Sequence, residues 1–170
     1  MWNSWRAPHR ATIPDAVSLL GASSVYEIGC GVGANLRLLR ETSPGVKTRG
    51  SDINPTYVTW AKEHGLCVEA RALPLLVSRD WDVTLSCYVL AFCDADTVHQ
   101  TLEMLSSPAL ILIEPWGDGE RVQAHSGKCP RIYHAWDDVL ARAGWRMMTR
   151  WPIAPVDGLT HLTIATREVA

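Results

Sequence analysis

The chain has 170 residues, 47% of them hydrophobic and 20% charged, with a formal net charge of -2. That length holds one domain with a substantial core, and the composition is globular rather than disordered. The charge balance argues against a strong non-specific nucleic-acid footprint. No apolar run reaches membrane-spanning length, and the expected compartment is the cytoplasm.

Five cysteines (Cys30, Cys67, Cys87, Cys93, Cys129) are scattered, with no C-x-x-C pair. That pattern supports neither a disulfide framework nor a zinc site, and buried thiols are expected. Eight tryptophans stand against one phenylalanine. Trp2 and Trp5 lie near a terminus that would ordinarily fray, so a core role is not their default.

Taken in order, residues 1–23 read as a lead-in or lid, with one short helix over 14–20 stopped by Gly21. Strand one covers about 24–28, and a helix follows to about Glu41. Strand two runs from about Val46 and ends at Asp52. The next helix has Asn54 as N-cap, Pro55 at its first position and Gly65 just past its end. Strand three is short, 67–70. Strand four covers 81–87, a helix about 96–105, and strand five 110–114, apolar enough to be buried on both faces.

Strands alternating with helices imply a parallel sheet with right-handed crossovers. After a polar stretch over 117–130, a helix at about 136–143 precedes two strands near 145–153 and 160–167. The short join between these two is too short for a crossover, so they pair antiparallel. The expected fold is α/β: a three-layer α/β/α sandwich whose mostly parallel seven-stranded sheet closes with a C-terminal antiparallel hairpin. One domain spans 1–170, with a cofactor-binding half at 24–114 and a substrate-side half at 115–170.

The stretch from Val25 to Leu36 organises this pattern. A buried strand passes through Gly29, Gly31 and Gly33 into a helix, so the backbone can take positive φ and a ligand can approach with no Cβ in the way. The spacing G-x-G-x-G departs from the dinucleotide G-x-G-x-x-G. Glu27 stands two positions ahead of Gly29, where a carboxylate suits an ammonium and would repel a pyrophosphate.

Glu27-Ile28-Gly29-Cys30-Gly31-Val32-Gly33 resembles the first motif of the class I (Rossmann-like) S-adenosylmethionine-dependent methyltransferases. The resemblance implies that Glu27, Gly29, Cys30 and Gly31 wrap the methionine end of that cofactor. Asp52, 21 residues after Gly31, can accept hydrogen bonds from both ribose hydroxyls, and Ile53 offers adenine an apolar face. Val68-Glu69-Ala70-Arg71-Ala72-Leu73-Pro74 resembles the family's G-D-A-x-x-L-P segment, which places Glu69 and Ala70 beside the adenine. By the same resemblance Cys87, at the end of strand four, joins the cofactor residues and Tyr88 the floor of the methyl-transfer site.

Methyl transfer from a sulfonium asks mainly for alignment and a dry, aromatic-lined pocket. Trp116, Trp2, Trp5 and Tyr133 are the candidate substrate walls. Where a base is required, His134 is the first candidate, because imidazole titrates near neutrality, and Glu114 the second. The family's metal-dependent members carry Asp after strand four and Asp-Asn near strand five. Here Cys87-Tyr88 and Glu114-Pro115 stand at those positions, so no metal is expected.

The implied activity is transfer of a methyl group to nitrogen or oxygen of a small molecule, with a homo-oligomer left open. Two alternatives stand beside it: a cofactor-binding module without catalysis, and an NAD-dependent oxidoreductase. An aminopropyl-transfer variant lacks an acidic residue at the strand-four end.

Overall fold

The computed structural model describes residues 8–117, 121–123, 131–153 and 159–168. A lead-in helix α1 (Pro8–Leu19) precedes β1 (Ser24–Ile28), α2 (Ala34–Thr42), β2 (Lys47–Asp52), α3 (Pro55–Glu63), β3 (Val68–Ala70) and β4 (Val83–Cys87). A 3-10 turn (Leu90–Phe92) leads to α4 (Ala95–Met104) and β5 (Ala109–Pro115). The remainder is β6 (Arg121–Gln123), β7 (Arg131–Tyr133), α5 (Trp136–Arg142), β8 (Arg146–Pro152) and β9 (Thr160–Thr166).

Seven strands form one sheet in the order β3-β2-β1-β4-β5-β9-β8. Pairing is parallel from β3 through β5, and β9 and β8 run antiparallel. The expected sheet and closing hairpin are therefore present. From β1 the chain steps outward to β2 and β3, then returns to place β4 on the other side of β1. This reversal opens a crevice beyond the strand ends.

Alternation along β5 shows how three layers arise. Ala109, Ile111 and Ile113 pack with Ile13, Ala16 and Val17 of α1 and Leu39 of α2. Leu110 and Leu112, pointing to the other face, join Val98 and Leu102 of α4 and Trp136 and Leu140 of α5. A continuous apolar run is what a strand covered on both faces requires.

Helix punctuation follows local chemistry. The Asn54 side chain accepts from Thr56 N–H at 3.0 Å, and Gly65 takes φ +74 beyond the end of α3. Asp94 caps α4 by accepting from Thr97 N–H at 2.7 Å.

Two expectations are corrected. The N-terminal helix begins at Pro8 and runs through Pro14, because burying Ile13 together with Ala16 and Val17 outweighs the backbone bond that the proline removes. The polar stretch before the last helix holds a strand, β6, which pairs antiparallel with β7 just beyond it. Strands of three residues are too short for periodicity to register.

Candidate functional site

The glycine loop is anchored from below and left open above. Gly29, Gly31 and Gly33 have φ +62, +55 and +76, the left-handed region where side chains are strained. A Cβ on Gly29 would meet Val89 Cγ2 at 2.3 Å, and one on Gly33 would meet Leu66 Cδ1 at 2.3 Å. A Cβ on Gly31 would meet nothing within 4 Å. The outer glycines thus seat the loop on its neighbours, and the middle one leaves room.

Asp52 ties this loop to β2. Its Oδ2 accepts Gly31 N–H at 2.7 Å and its Oδ1 accepts Asn54 N–H at 2.8 Å. A carboxylate has about four acceptor positions, so both oxygens keep capacity for hydroxyl donors. The side chain is half-buried at the wall of a cavity of about 500 Å³, also lined by Gly29, Ile53, Arg71, Tyr88 and Phe92. Ile53 is 73% exposed, and Tyr57 and Phe92 are exposed beside the same cavity. Several exposed apolar side chains round one cavity make it the candidate binding site.

Glu27 is 1% exposed. Its Oε1 accepts from Asn35 Nδ2 at 2.6 Å, and its Oε2 has no hydrogen-bond partner among the described residues. Burial pushes its pKa up to about 8, against the opposing effects of the Asn35 bond and the Arg10 charge. An unused acceptor on a buried carboxyl is costly unless a donor arrives. An ammonium group would supply that donor and favour the carboxylate.

Of the remaining cofactor candidates, Cys30 is buried under the loop, and its N–H donates to the Ser51 carbonyl at 2.8 Å. Burial raises the thiol pKa of Cys30 and of Cys87. Glu69 is held from behind: Tyr26 Oη donates to Oε1 at 2.8 Å, while Arg49 and Arg71 approach Oε2 at 3.2 and 3.4 Å. It is Arg71 that reaches the cavity wall, not Glu69 or Ala70.

Both expected bases carry structural hydrogen bonds. Glu114 is 0% exposed and spends its carboxylate on the turn after β4. Oε1 accepts from Ser86 Oγ (2.8 Å), Val89 N–H (2.9 Å) and Leu90 N–H (3.1 Å), and Oε2 from Ala91 N–H (3.2 Å). Burial raises its pKa, and both oxygens are taken up by these four donors. His134, 1% exposed, sets Nε2 3.3 Å from the Leu90 carbonyl and 3.2 Å from that of Cys93. Two carbonyls require Nε2 to carry the proton, so this nitrogen is a donor, not a base. Together the two residues pin both sides of the turn that forms the cavity wall.

Trp116 and Tyr133 are likewise buried rather than at the mouth. Trp116 packs in the core with Arg150 over its ring at 4.2 Å, and Tyr133 lies against Gly117. Trp2 and Trp5 fall outside the described residues. Among the catalytic candidates Tyr88 alone lines the cavity. It holds φ 56, donates its hydroxyl to Thr160 Oγ1 at 2.9 Å, and meets the His9 ring edge-on at 5.3 Å.

His9 escaped the sequence reading, since α1 was not expected to begin before Pro14. It is buried, neither ring nitrogen has a hydrogen-bond partner among the described residues, and burial with the Arg10 charge lowers its pKa to about 4. No helix among the described residues is long and apolar enough to cross a membrane, and no cluster of three or more potential metal ligands occurs among them.

No family model matches the sequence, and no curated protein matches it. Solved structures do. The methyltransferase domain of bacterial CtHen1-C aligns over 96% of this chain and 99% of its own, at 16% identity and TM-score 0.76. An amino pentose methyltransferase from Micromonospora echinaspora, solved with S-adenosylmethionine bound, aligns over 98% and 93%, at 16% identity and TM-score 0.72. Mitomycin 7-O-methyltransferase aligns over 94% of this chain at 19% identity and TM-score 0.72. The present chain spans about half of that protein's length, 53%. Sheet order, closing hairpin and these likenesses agree: the chain has the fold of the class I S-adenosylmethionine-dependent methyltransferases.

Proposed function

We propose that the chain binds S-adenosylmethionine at the ends of β1, β2 and β4 and transfers its methyl group to oxygen or nitrogen of a small molecule. The observation that carries this reading is the open glycine loop, tied by Asp52 and backed by a buried Glu27 with one unused oxygen. Glu27 is suited to an ammonium, the Gly31 backbone to a close-lying chain, and Asp52 to ribose hydroxyls. Ile53 and Tyr57 supply apolar surface for a base at the open side.

When bound, that cofactor supplies a methyl group already activated on a sulfonium. The chain then has to align an acceptor and exclude water, which can lower a barrier by several kcal/mol. Tyr88, Val89 and Phe92 form the wall suited to that task, held rigid by Glu114 and His134.

The test is calorimetry with S-adenosylmethionine and S-adenosylhomocysteine, for which micromolar-range dissociation constants are expected. Failure of folded protein to bind either one overturns the reading. A second reading, a binding module without turnover, is favoured by the structural engagement of both Glu114 and His134. Release of S-adenosylhomocysteine across a panel of hydroxyl and amine acceptors separates the two.

A further inference from the structure

Arg131, the first residue of β7, sets its guanidinium carbon 5.5 Å from the ring centre of Tyr88 and 5.7 Å from that of Phe92. Both rings line the cavity beyond β4. Separations under about 6 Å are those of cation–π contacts, which orient a guanidinium without consuming its N–H donors. Arg131 is half-buried, and its guanidinium forms no ion pair among the described residues.

The other charges of this region are engaged. Arg71, on the cavity wall, pairs with Glu69 at 3.4 Å. Asp94, nearest in sequence to Phe92, caps α4. Asp52 holds two backbone N–H groups at the cofactor loop. The guanidinium that remains is a planar fork of donors, whose matching partner is a carboxylate or phosphate.

We propose that the acceptor is an anion, whose carboxylate or phosphate group Arg131 binds at the mouth of the cavity beside Tyr88 and Phe92. This rests on the methyltransferase reading and narrows it to acidic acceptors. It also disfavours cationic acceptors such as polyamines, which would face the guanidinium and a cofactor sulfonium together.

The experiment titrates benzoate, phenyl phosphate and the neutral benzamide into the protein, with and without saturating S-adenosylhomocysteine, by calorimetry. At least one anion is expected to bind roughly tenfold or more tightly than benzamide, and the preferred anion identifies the group recognised. Arg131→Gln, which keeps amide donors but removes the charge, is expected to bring anion and amide to equal affinity. Arg131→Lys should retain part of the preference.

Benzamide binding as tightly as both anions, absence of anion binding, or an unchanged preference in Arg131→Gln overturns the proposal. S-adenosylhomocysteine binding, measured on the same samples, is expected to be unaffected by Arg131→Gln. Its loss in the wild-type chain would instead overturn the cofactor reading, while the titrations without it still decide the anion preference.

Discussion

At the ends of β1 and β5 a glutamate is withdrawn from water, and the two ends satisfy their carboxylates differently. Glu114 of β5 receives four donors, three of them consecutive backbone N–H groups. Glu27 of β1 receives one among the described residues, from Asn35, and keeps an oxygen unused by them. Burial alone therefore does not distinguish a structural acid from a functional one. The count of satisfied lone pairs separates these two, since an incomplete set has a cost that a bound proton or an arriving donor offsets.

The sharpest way to break this contrast is Glu114→Ala. Three buried N–H groups would lose their acceptor, and a stability loss of about 3–5 kcal/mol is expected in equilibrium denaturation. A loss below about 1 kcal/mol would place Glu114 outside the structural role assigned to it.

Next in size is Asp52→Ala, which removes the anchor of Gly31 and Asn54 as well as the expected ribose acceptor. Affinity for S-adenosylhomocysteine should fall roughly 100-fold, near 3 kcal/mol.

Glu27→Gln sharpens the other side of the comparison. Glu27 titrates near 8 when folded, against an ordinary value of 4.5. Between these pH values the folded protein holds a proton that the unfolded chain has released. Its contribution to stability is complete below the lower value and lost as pH rises through the upper one. The slope is at most about 1.4 kcal/mol per pH unit. Glu27→Gln should flatten this part of the stability–pH curve while weakening cofactor binding about tenfold. Wild-type binding near neutral pH should release a proton, read by calorimetry in buffers of differing ionisation enthalpy.

The smallest expected effect is that of Tyr88→Phe. Losing the bond to Thr160 should cost about 1 kcal/mol of stability, read as a small fall in Tm.

The sequence was most legible where function depends on backbone. Three alternate glycines need no tertiary information to predict a loop with positive φ, and Asp52 was placed by its distance from that loop. Helix ends at Asn54 and Gly65 were equally readable, because capping is local. Legibility failed where a side chain's role depends on what lies across the sheet. Glu114 and His134 are residue types suited to proton transfer, but their donors and acceptors come from residues 86–93, distant in sequence. Glu69 reads in sequence as an adenine contact, and its partners Tyr26, Arg49 and Arg71 come from other strands and the loop after it. His9 carries no sequence signal, because it lies ahead of Pro14, a residue type that marks a helix start.

Val89 gives the turn beyond β4 a reach that its length conceals. Its side chain sits where a Cβ on Gly29 would be, while its own N–H is bound to Glu114. The glycine loop is thus indexed, through one valine, to a carboxylate two strands away across the sheet. Repacking beneath β5 should accordingly register as altered cofactor affinity, and a search for long-range modulators of this site would do well to begin there.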